Sequence, residues 1–325
     1  MMLKTERLAP IDVLKAVCIV LVVVNHATNN EQENTFEVYF AQFSRSVVPM
    51  FFAVSAWVVA SEEPIPWKRT LGRLKRLLIP YLVASTLVEL YFWARAMPRS
   101  PLEIARDVVF AGAFGAYYFV FGIVTMTLFS PLFARVPRRY LLTAWLVLVA
   151  LHAGLIVVLT IFVTLPAHAL FWVVRDPSWV AIYYLAGWLA SLYRKPLANV
   201  CRQHRSRLLT VGGVLAVGLL AIAPLGEMPA ASALAGFGFT LVGTAVLALA
   251  TTSIAQAAPI VRWLSDATYT IYLFHLFFVE EVLRTLPPSA VRDIAATCAG
   301  FLGPSLIIFG MRYLFGERSR TWVGA

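Results

Sequence analysis

Three ionisable residues lie within the first apolar stretch of the chain, where a segment buried in lipid normally carries none. Asp12, Lys15 and His26 fall in the run IDVLKAVCIVLVVVNHA. At about 100° per residue on a helix, Lys15 and His26 lie about 20° apart after three turns, and Asp12 lies about 40° from His26. The spacing therefore predicts that the three side chains share one face of a helix.

These residue types are suited to proton transfer. An imidazole titrates near pH 6.5, so His26 can take a proton from a hydroxyl that attacks an activated carbonyl and then return it. Asp12 can orient or neutralise Lys15 at the i, i+3 spacing. A charge at bilayer depth costs about 2.5–3.5 kcal/mol, so such groups normally face a protein interior or a wet cavity. We therefore interpret the three residues as a reaction site rather than as a polar contact that joins helices.

The composition indicates an integral membrane protein. Of the 325 residues, 60% are apolar and 14% are charged, and the mean hydropathy is +0.77, whereas soluble domains carry about 25% charged residues. The net charge of +10 indicates topology rather than nucleic-acid binding, because membrane proteins concentrate Lys and Arg in cytoplasmic loops. The three cysteines are scattered, so neither a disulfide framework nor a metal site is predicted.

The elements that must position the reaction site are membrane-spanning helices. Segments long enough to cross about 30 Å of hydrocarbon occur at 9–28, 43–60, 77–96, 112–134, 140–163, 178–193, 208–226, 231–251, 267–285 and 294–314. With these ten spans, 19 of the 27 Lys and Arg residues lie on the side of the termini and seven on the other, which places both termini in the cytoplasm. We predict an all-α bundle in which residues 1–325 form a single transmembrane domain with no appended soluble domain.

A basic run precedes the third predicted span on its cytoplasmic side. Arg69, Arg73 and Arg76 recur at helical spacing and, together with Lys75, can form a basic face suited to phosphate groups. Juxtamembrane segments also carry such residues to fix orientation or to contact anionic lipid. Taken alone, the run favours this simpler interpretation.

Aromatic and histidine residues form a third group of candidates. Tyr272 and His275 are three residues apart at the start of the ninth predicted span and share a helix face. The spacing alone favours a structural role for His275. Tyr117 and Tyr118 are most simply read as packing or interface aromatics.

The arrangement of these residues resembles acyltransferase family 3, the integral-membrane acyltransferases of bacteria and some animals. The opening motif of that family is an Arg, ten intervening residues and a His, usually after an Asp, which is similar to Asp12, Lys15 and His26. Lys15 stands in place of the usual Arg, which keeps the charge but loses the planar fork. The Arg-x-x-Arg element of the family matches Arg73 and Arg76.

Other segments of the chain are similar to the same family in the same order. VPMFFAVSA, which contains Ser55, resembles the Val-Pro-x-Phe-Phe-x-x-Ser-Gly signature, with Ala56 in place of the usual Gly. Tyr117-Tyr118-Phe119 stands where Trp-Phe is typical of the fourth span. The remaining similar segments are Ser130-Pro131-Leu132, Tyr184-Leu185-Ala186-Gly187 and Tyr272-Leu273-Phe274-His275.

The resemblance implies a reaction and roles for the residues. An acyl group, most often acetyl, would pass from cytoplasmic acyl-CoA to a hydroxyl of a glycan or lipid-linked saccharide at a bacterial inner membrane. His26 would act as general base or as a short-lived acyl carrier, and Lys15, held by Asp12, would stabilise donor charge. The implied CoA-binding residues are Arg69, Arg73, Lys75 and Arg76, and the implied substrate pocket contains Ser55, Tyr117, Tyr118, Tyr272 and His275.

Two other classes of function fit the same composition. In a transporter, Asp12, Lys15 and His26 would line a proton or substrate path. In a non-catalytic component of polysaccharide export, the polar stripe would serve assembly. No metal and no nucleic acid is expected as a partner, and the sequence indicates no oligomeric state.

Overall fold

The computed structural model describes residues 8–28, 47–97, 99–162, 171–172, 175–204, 206–207, 210 and 256–324. In this part of the chain every regular element is a helix. The α-helices are α1 (Ala9–Thr28), α2 (Val47–Val59), α3 (Trp67–Ala94), α4 (Pro101–Val109), α5 (Tyr118–Phe133), α6 (Arg138–Phe162), α7 (Pro177–Leu192), α8 (Arg194–Gln203), α9 (Pro259–Thr285), α10 (Ala290–Phe315) and α11 (Ser319–Val323). Single 3₁₀ turns cover Gly115–Tyr117 and Gly316–Arg318.

Within the described part of the chain, four helical segments are long and apolar enough to cross a membrane, namely Ala9–Thr28, Trp67–Ala94, Gly115–Phe133 and Ala290–Arg318. Eight of the ten predicted spans overlap helices of the described residues, with ends that differ by up to ten residues. The predicted spans 208–226 and 231–251 lie almost entirely outside the described residues, so the count of ten and the side of the termini stay predictions. An all-helical membrane protein is the architecture that the described residues support.

Local signals in the sequence begin several of these helices. Ser100 and Glu103 form a capping box at the start of α4, in which each satisfies a backbone N–H of the other. The hydrogen bonds that Ser100 donates hold the pKa of the exposed Glu103 carboxyl below its usual value. The third helix begins at Trp67, ten residues before its predicted apolar span, because the basic run continues the helix beyond the hydrocarbon-length segment.

The site lies where α1 is enclosed by other helices. This helix packs against α2, α9 and α10, while α2 also packs against α7 and α3 packs against α5 and α9. Along α1, Ile19 and Val23 are completely buried, whereas Val17 and Val20 are exposed. The first helix therefore presents one face to protein and leaves the other for lipid.

Tyrosine hydroxyls connect α9 to its neighbours through three hydrogen bonds. The Tyr117 hydroxyl donates to the carbonyl of Leu273 at 2.6 Å, and the Tyr272 hydroxyl donates to the carbonyl of Ala116. Nearer the start of α9, the Tyr269 hydroxyl donates to the carbonyl of Leu77 at 2.7 Å. Hydrogen bonds between helices of this kind hold bundles together in lipid, where apolar burial alone supplies little driving force.

A close approach between α2 and α7 leads to a test of the packing. A Cβ on Gly187 of α7 would overlap the backbone of Ala53 in α2, whereas a Cβ on Gly72 of α3 would meet nothing within 4 Å. We expect Gly187→Ala to destabilise the protein by about 1–3 kcal/mol through overpacking. The Gly72→Ala control should be neutral or stabilising by up to about 1 kcal/mol. Thermal unfolding in detergent measures both, and equal melting temperatures would contradict this contact.

Candidate functional site

Asp12 and Lys15 of α1 meet the start of α9 at Ser265. The Ser265 hydroxyl donates to Asp12 Oδ1 at 2.7 Å, and Lys15 Nζ donates to the Ser265 backbone carbonyl at 2.7 Å. Asp12 and Ser265 are both buried. A single residue of α9 therefore contacts both the carboxylate of Asp12 and the ammonium of Lys15.

Arg73 reaches the same region from α3. Its Nη2 donates to the backbone carbonyl of Ser55 in α2 at 3.2 Å, and its side chain is half-buried. Five residues of α1, α2, α3 and α9 form a polar ring here, and we use this name for Lys15, Ser55, Arg73, Ser265 and Asp266. All five line both of the cavities described next.

The larger cavity, which we call the vestibule, has a volume of about 710 Å³. Beyond the polar ring it is lined by polar residues of α1, α7 and the start of α8, namely Asp12, Ser191 and Arg194, and by apolar residues that include Trp57. Its lining carries three cationic side chains against two carboxylates, so the local balance favours an anionic ligand.

The smaller cavity, which we call the inner cavity, has a volume of about 220 Å³ and adjoins the vestibule at the polar ring. Beyond the ring its walls are largely apolar and aromatic, and are formed by Phe51, Leu77, Phe119, Ile123, Thr268, Tyr269, Tyr272 and Gly324. A charged mouth that leads to an apolar chamber suits an amphipathic ligand with an anionic head and a neutral tail.

A pair of histidines, His26 and His275, lies beyond Tyr272, and neither is part of the lining described for the inner cavity. Tyr272 lines it, and His275 lies one helical turn farther along α9, with the rings of these two residues 6.1 Å apart. The ring centroid of His275 lies 5.2 Å from that of His26 in α1, with an angle of 49° between the ring planes. His26 is half-buried and His275 is completely buried, so both imidazoles belong to the interior of the bundle.

The three residues of the α1 stripe thus divide into two groups. Asp12 and Lys15 lie at the polar ring, whereas His26 lies about 16 Å farther along the helix axis, at 1.5 Å per residue. The described lining of the two cavities includes Asp12 and Lys15 and extends as far as Tyr272. Any reaction that uses both groups must therefore employ an extended ligand.

The predicted phosphate-binding residues differ in where they lie. Arg73 faces the cavities, whereas Arg69, Lys75 and Arg76 are exposed side chains of α3 and are absent from the lining described for the vestibule and the inner cavity. Positions 69, 73 and 76 share a broad face of the helix, but only the central one is directed between α1, α2 and α9. The other three can contribute to a basic surface around the entrance.

The predicted substrate-pocket residues also separate. Ser55 and Tyr272 line the inner cavity, while Tyr117 is completely buried and donates its hydroxyl to a carbonyl of α9. Tyr118 is half-buried at the start of α5. Tyr117 therefore positions the wall of the cavity, and Tyr272 both positions it and faces the space.

Three residues of the site, Arg194, Ser265 and Asp266, were not among those predicted from the sequence. Ser265 and Asp266 directly precede the ninth predicted span, and a polar pair at the start of an apolar helix was the available signal. Arg194 directly follows the sixth predicted span, and the sequence contains no signal that brings the start of α8 to the vestibule.

A metal site receives no support from the described residues, since no group of three or more His, Cys, Asp or Glu side chains there could hold an ion. The chain was also compared with known proteins. A family model described as an acyltransferase domain matches residues 8–311. No curated protein and no solved structure shows a significant match.

Proposed function

The chain belongs to acyltransferase family 3, and on that premise we propose that it transfers an acyl group from cytoplasmic acyl-CoA to a hydroxyl of a glycan or lipid-linked saccharide. The observation that carries the proposal is the cationic vestibule and the adjoining apolar inner cavity, whose described lining extends as far as Tyr272. Tyr272 lies one helical turn from His275, and the ring of His275 lies 5.2 Å from that of His26. Acyl-CoA has the matching character, with an anionic nucleotide at one end and a neutral thioester at the other.

The vestibule supports binding of the nucleotide end of the donor. Arg73, Arg194 and Lys15 line it, and guanidinium groups bind phosphate through paired, charge-assisted hydrogen bonds. The vestibule volume of about 710 Å³ lies within the range of about 300–1,000 Å³ that is usual for ligand pockets. Lys15 donates to the Ser265 carbonyl and Asp12 accepts from the Ser265 hydroxyl, and in our proposal this shared contact keeps the cation oriented toward the vestibule.

The inner cavity supports binding of the pantetheine arm with its thioester. Phe51, Phe119 and Tyr272 supply apolar walls, and the volume of about 220 Å³ favours a short acyl group such as acetyl over a long chain. The polar ring and His26 are separated by about 16 Å along α1. An extended pantetheine arm bridges such a distance, so phosphates at the ring and a thioester near the histidines are compatible.

The histidines supply the proton chemistry. His26 takes the proton of the acceptor hydroxyl as its oxygen attacks the thioester carbon, and then returns that proton to the departing CoA sulfur. Donor phosphates stay at the polar ring while the acceptor approaches from the other side of the bundle. A membrane protein with this arrangement uses a cytoplasmic donor on an acceptor at the outer face.

Consumption of radiolabelled acetyl-CoA tests the proposal. Purified protein in liposomes should release CoA thiol and move label to saccharide extracted from the membrane. Surface saccharides from cells that lack the gene should lose an acyl mass in mass spectrometry. A protein that neither binds acetyl-CoA nor cleaves it, yet moves a solute, would be a transporter and would contradict the proposal.

Lys15 provides a second test, because this position departs from the usual Arg of the family. We expect Lys15→Met to raise the KM for acyl-CoA about tenfold, since one charged hydrogen-bond donor is lost. Lys15→Arg should stay within about threefold of the parent protein because it keeps the charge and adds donors. Steady-state kinetics with varied acetyl-CoA measure both variants. A larger loss for Lys15→Arg than for Lys15→Met would contradict a charge-based role.

A further inference from the structure

The tautomer of His275 follows from its hydrogen bonds. Its Nδ1 lies 2.8 Å from the carbonyl oxygen of Tyr272 and 3.0 Å from that of Ile271. Carbonyl oxygens only accept hydrogen bonds, so Nδ1 carries the proton. The other nitrogen, Nε2, therefore bears the lone pair and is available as an acceptor.

That lone pair is buried and unused. His275 has no exposed surface, and its Nε2 has no hydrogen-bond partner among the residues that the structure describes. A buried polar atom without a partner is costly and rare, so each case requires an explanation. Packing alone does not provide one, because a Phe or Leu would fill the same space without leaving an unpaired nitrogen.

The surroundings of the ring direct attention to His26. In α10, Gly300 allows close packing, since a Cβ there would meet Val23 and Val279 and lie 3.8 Å from the Cβ of His275. These neighbours are apolar, whereas the ring of His26 lies 5.2 Å away, centroid to centroid. The χ2 torsion of a histidine is broad, so the orientation of the His26 ring is adjustable at this distance.

We propose that His275 is the positioning residue for His26, and that its Nε2 accepts the N–H of His26 while the other nitrogen of His26 handles the substrate proton. This inference rests on the proposed acyl transfer and adds to it the group that orients the base. A base that is itself held by a third group is the general pattern of such sites. A neutral imidazole performs here what a carboxylate performs elsewhere, without placing a second charge in an apolar interior.

The proton balance of the step is simple. The acceptor oxygen forms a bond to the acyl carbon while its proton moves to the outward nitrogen of His26. The carbon–sulfur bond then breaks, and the same proton moves from His26 to the thiolate, which leaves as CoA thiol. His275 gains and loses no proton, and its hydrogen bond from His26 is strongest while His26 is an imidazolium.

The test compares two acceptors in liposomes that contain the full chain and acetyl-CoA. Water is a weak hydroxyl acceptor that needs a base, whereas hydroxylamine is nucleophilic without one. We expect His275→Phe to lower the kcat of CoA release to water by about 10- to 30-fold, the effect of one charge-assisted hydrogen bond. Release to hydroxylamine should fall by less than about threefold, and KM for acetyl-CoA should not change.

A double variant measures whether the effects of His275 and His26 on the rate are coupled, and a packing role for His275 predicts no such coupling. The double variant His26→Ala/His275→Phe should be no slower toward water than His26→Ala alone, because a positioning residue has no effect once the group that it positions is gone. Equal losses with both acceptors, or additive losses in the double variant, would overturn the inference. His152→Gln is the control for removing a buried histidine, since both of its ring nitrogens lie within hydrogen-bond distance of groups outside the site.

Failure of the inference and failure of the proposed function give different results. Parent protein that neither binds nor cleaves acetyl-CoA contradicts the function, whereas a His275→Phe variant as active as the parent contradicts the inference alone. If the variants do not fold, NMR of histidine labelled with a nitrogen isotope in the parent protein decides the matter. A proton on Nδ1 and none on Nε2 of His275 near neutral pH is the expected result, and the opposite tautomer overturns the proposal.

Discussion

His26→Ala should abolish acyl transfer to hydroxyl acceptors while the protein stays folded and binds acyl-CoA normally. Proton transfer by a positioned base contributes about 10²- to 10⁴-fold in rate, and His26 is the imidazole of the α1 stripe that we propose as this base. Its ring lies 5.2 Å from that of His275 and about 16 Å along α1 from the polar ring. Loss of the ring therefore removes chemistry without removing a contact to the donor phosphates.

The measurement separates catalysis from binding. Acetyl-CoA affinity is determined by equilibrium binding in detergent, and transfer by the appearance of label in saccharide and of free CoA thiol. His152→Ala serves as the matched variant, because His152 is a buried histidine of α6 with partners outside the cavities, and it should keep its activity. Near-normal transfer by His26→Ala would remove His26 from the mechanism.

Arg73→Ala should weaken acyl-CoA binding about 100-fold, the upper range for the loss of charged hydrogen bonds. Arg73 lines both cavities and is half-buried beside Ser55, so its guanidinium acts where water is scarce. Arg76 offers a close control because it lies three residues away on the same helix but is exposed and outside the described cavity lining. Its replacement by Ala should change binding by less than about threefold, as is usual for exposed charges.

The comparison of the Arg73→Ala and Arg76→Ala variants distinguishes two possible roles of the basic run, namely topology or lipid contact and donor binding. A run that fixes topology or contacts anionic lipid predicts similar and small effects of both replacements on acyl-CoA affinity. A donor site predicts a large effect of Arg73→Ala on KM and little effect on kcat, with partial retention in Arg73→Lys because the charge persists without the planar fork. Equal dissociation constants for the Arg73→Ala and Arg76→Ala variants would contradict our assignment of the vestibule.

The predicted helices show which features of the fold can be predicted from length and apolar content. The range 9–28 coincides with α1, since length and apolar content are local properties that the bilayer imposes on any spanning helix. The predicted starts of the third and ninth spans were late by ten and eight residues. A helix continues past its apolar part as long as its backbone hydrogen bonds can form, and hydropathy does not record that.

The candidate site shows which features cannot be predicted from local sequence patterns. Residue types and spacing singled out Asp12, Lys15, His26 and Arg73, because a charge in an apolar segment is costly wherever it occurs. Helical spacing also placed Arg69, Arg73 and Arg76 on one face, yet only Arg73 lines the cavities. The rotation of α3 about its axis depends on how it packs against α5 and α9, and no periodicity within α3 contains that information.

By itself, the sequence determined the class of the protein and the family to which it belongs. It also identified the ionisable residues of α1, whose burial in a membrane interior is costly and therefore indicates a function. Tertiary structure alone decided that Ser265 holds both Asp12 and Lys15, that Arg194 reaches the vestibule, and that His275 faces His26. These contacts join residues distant in the chain, and they depend on the mutual rotation and depth of helices. The physical reason is that helix formation is local, whereas helix packing depends on side chains from several helices at once.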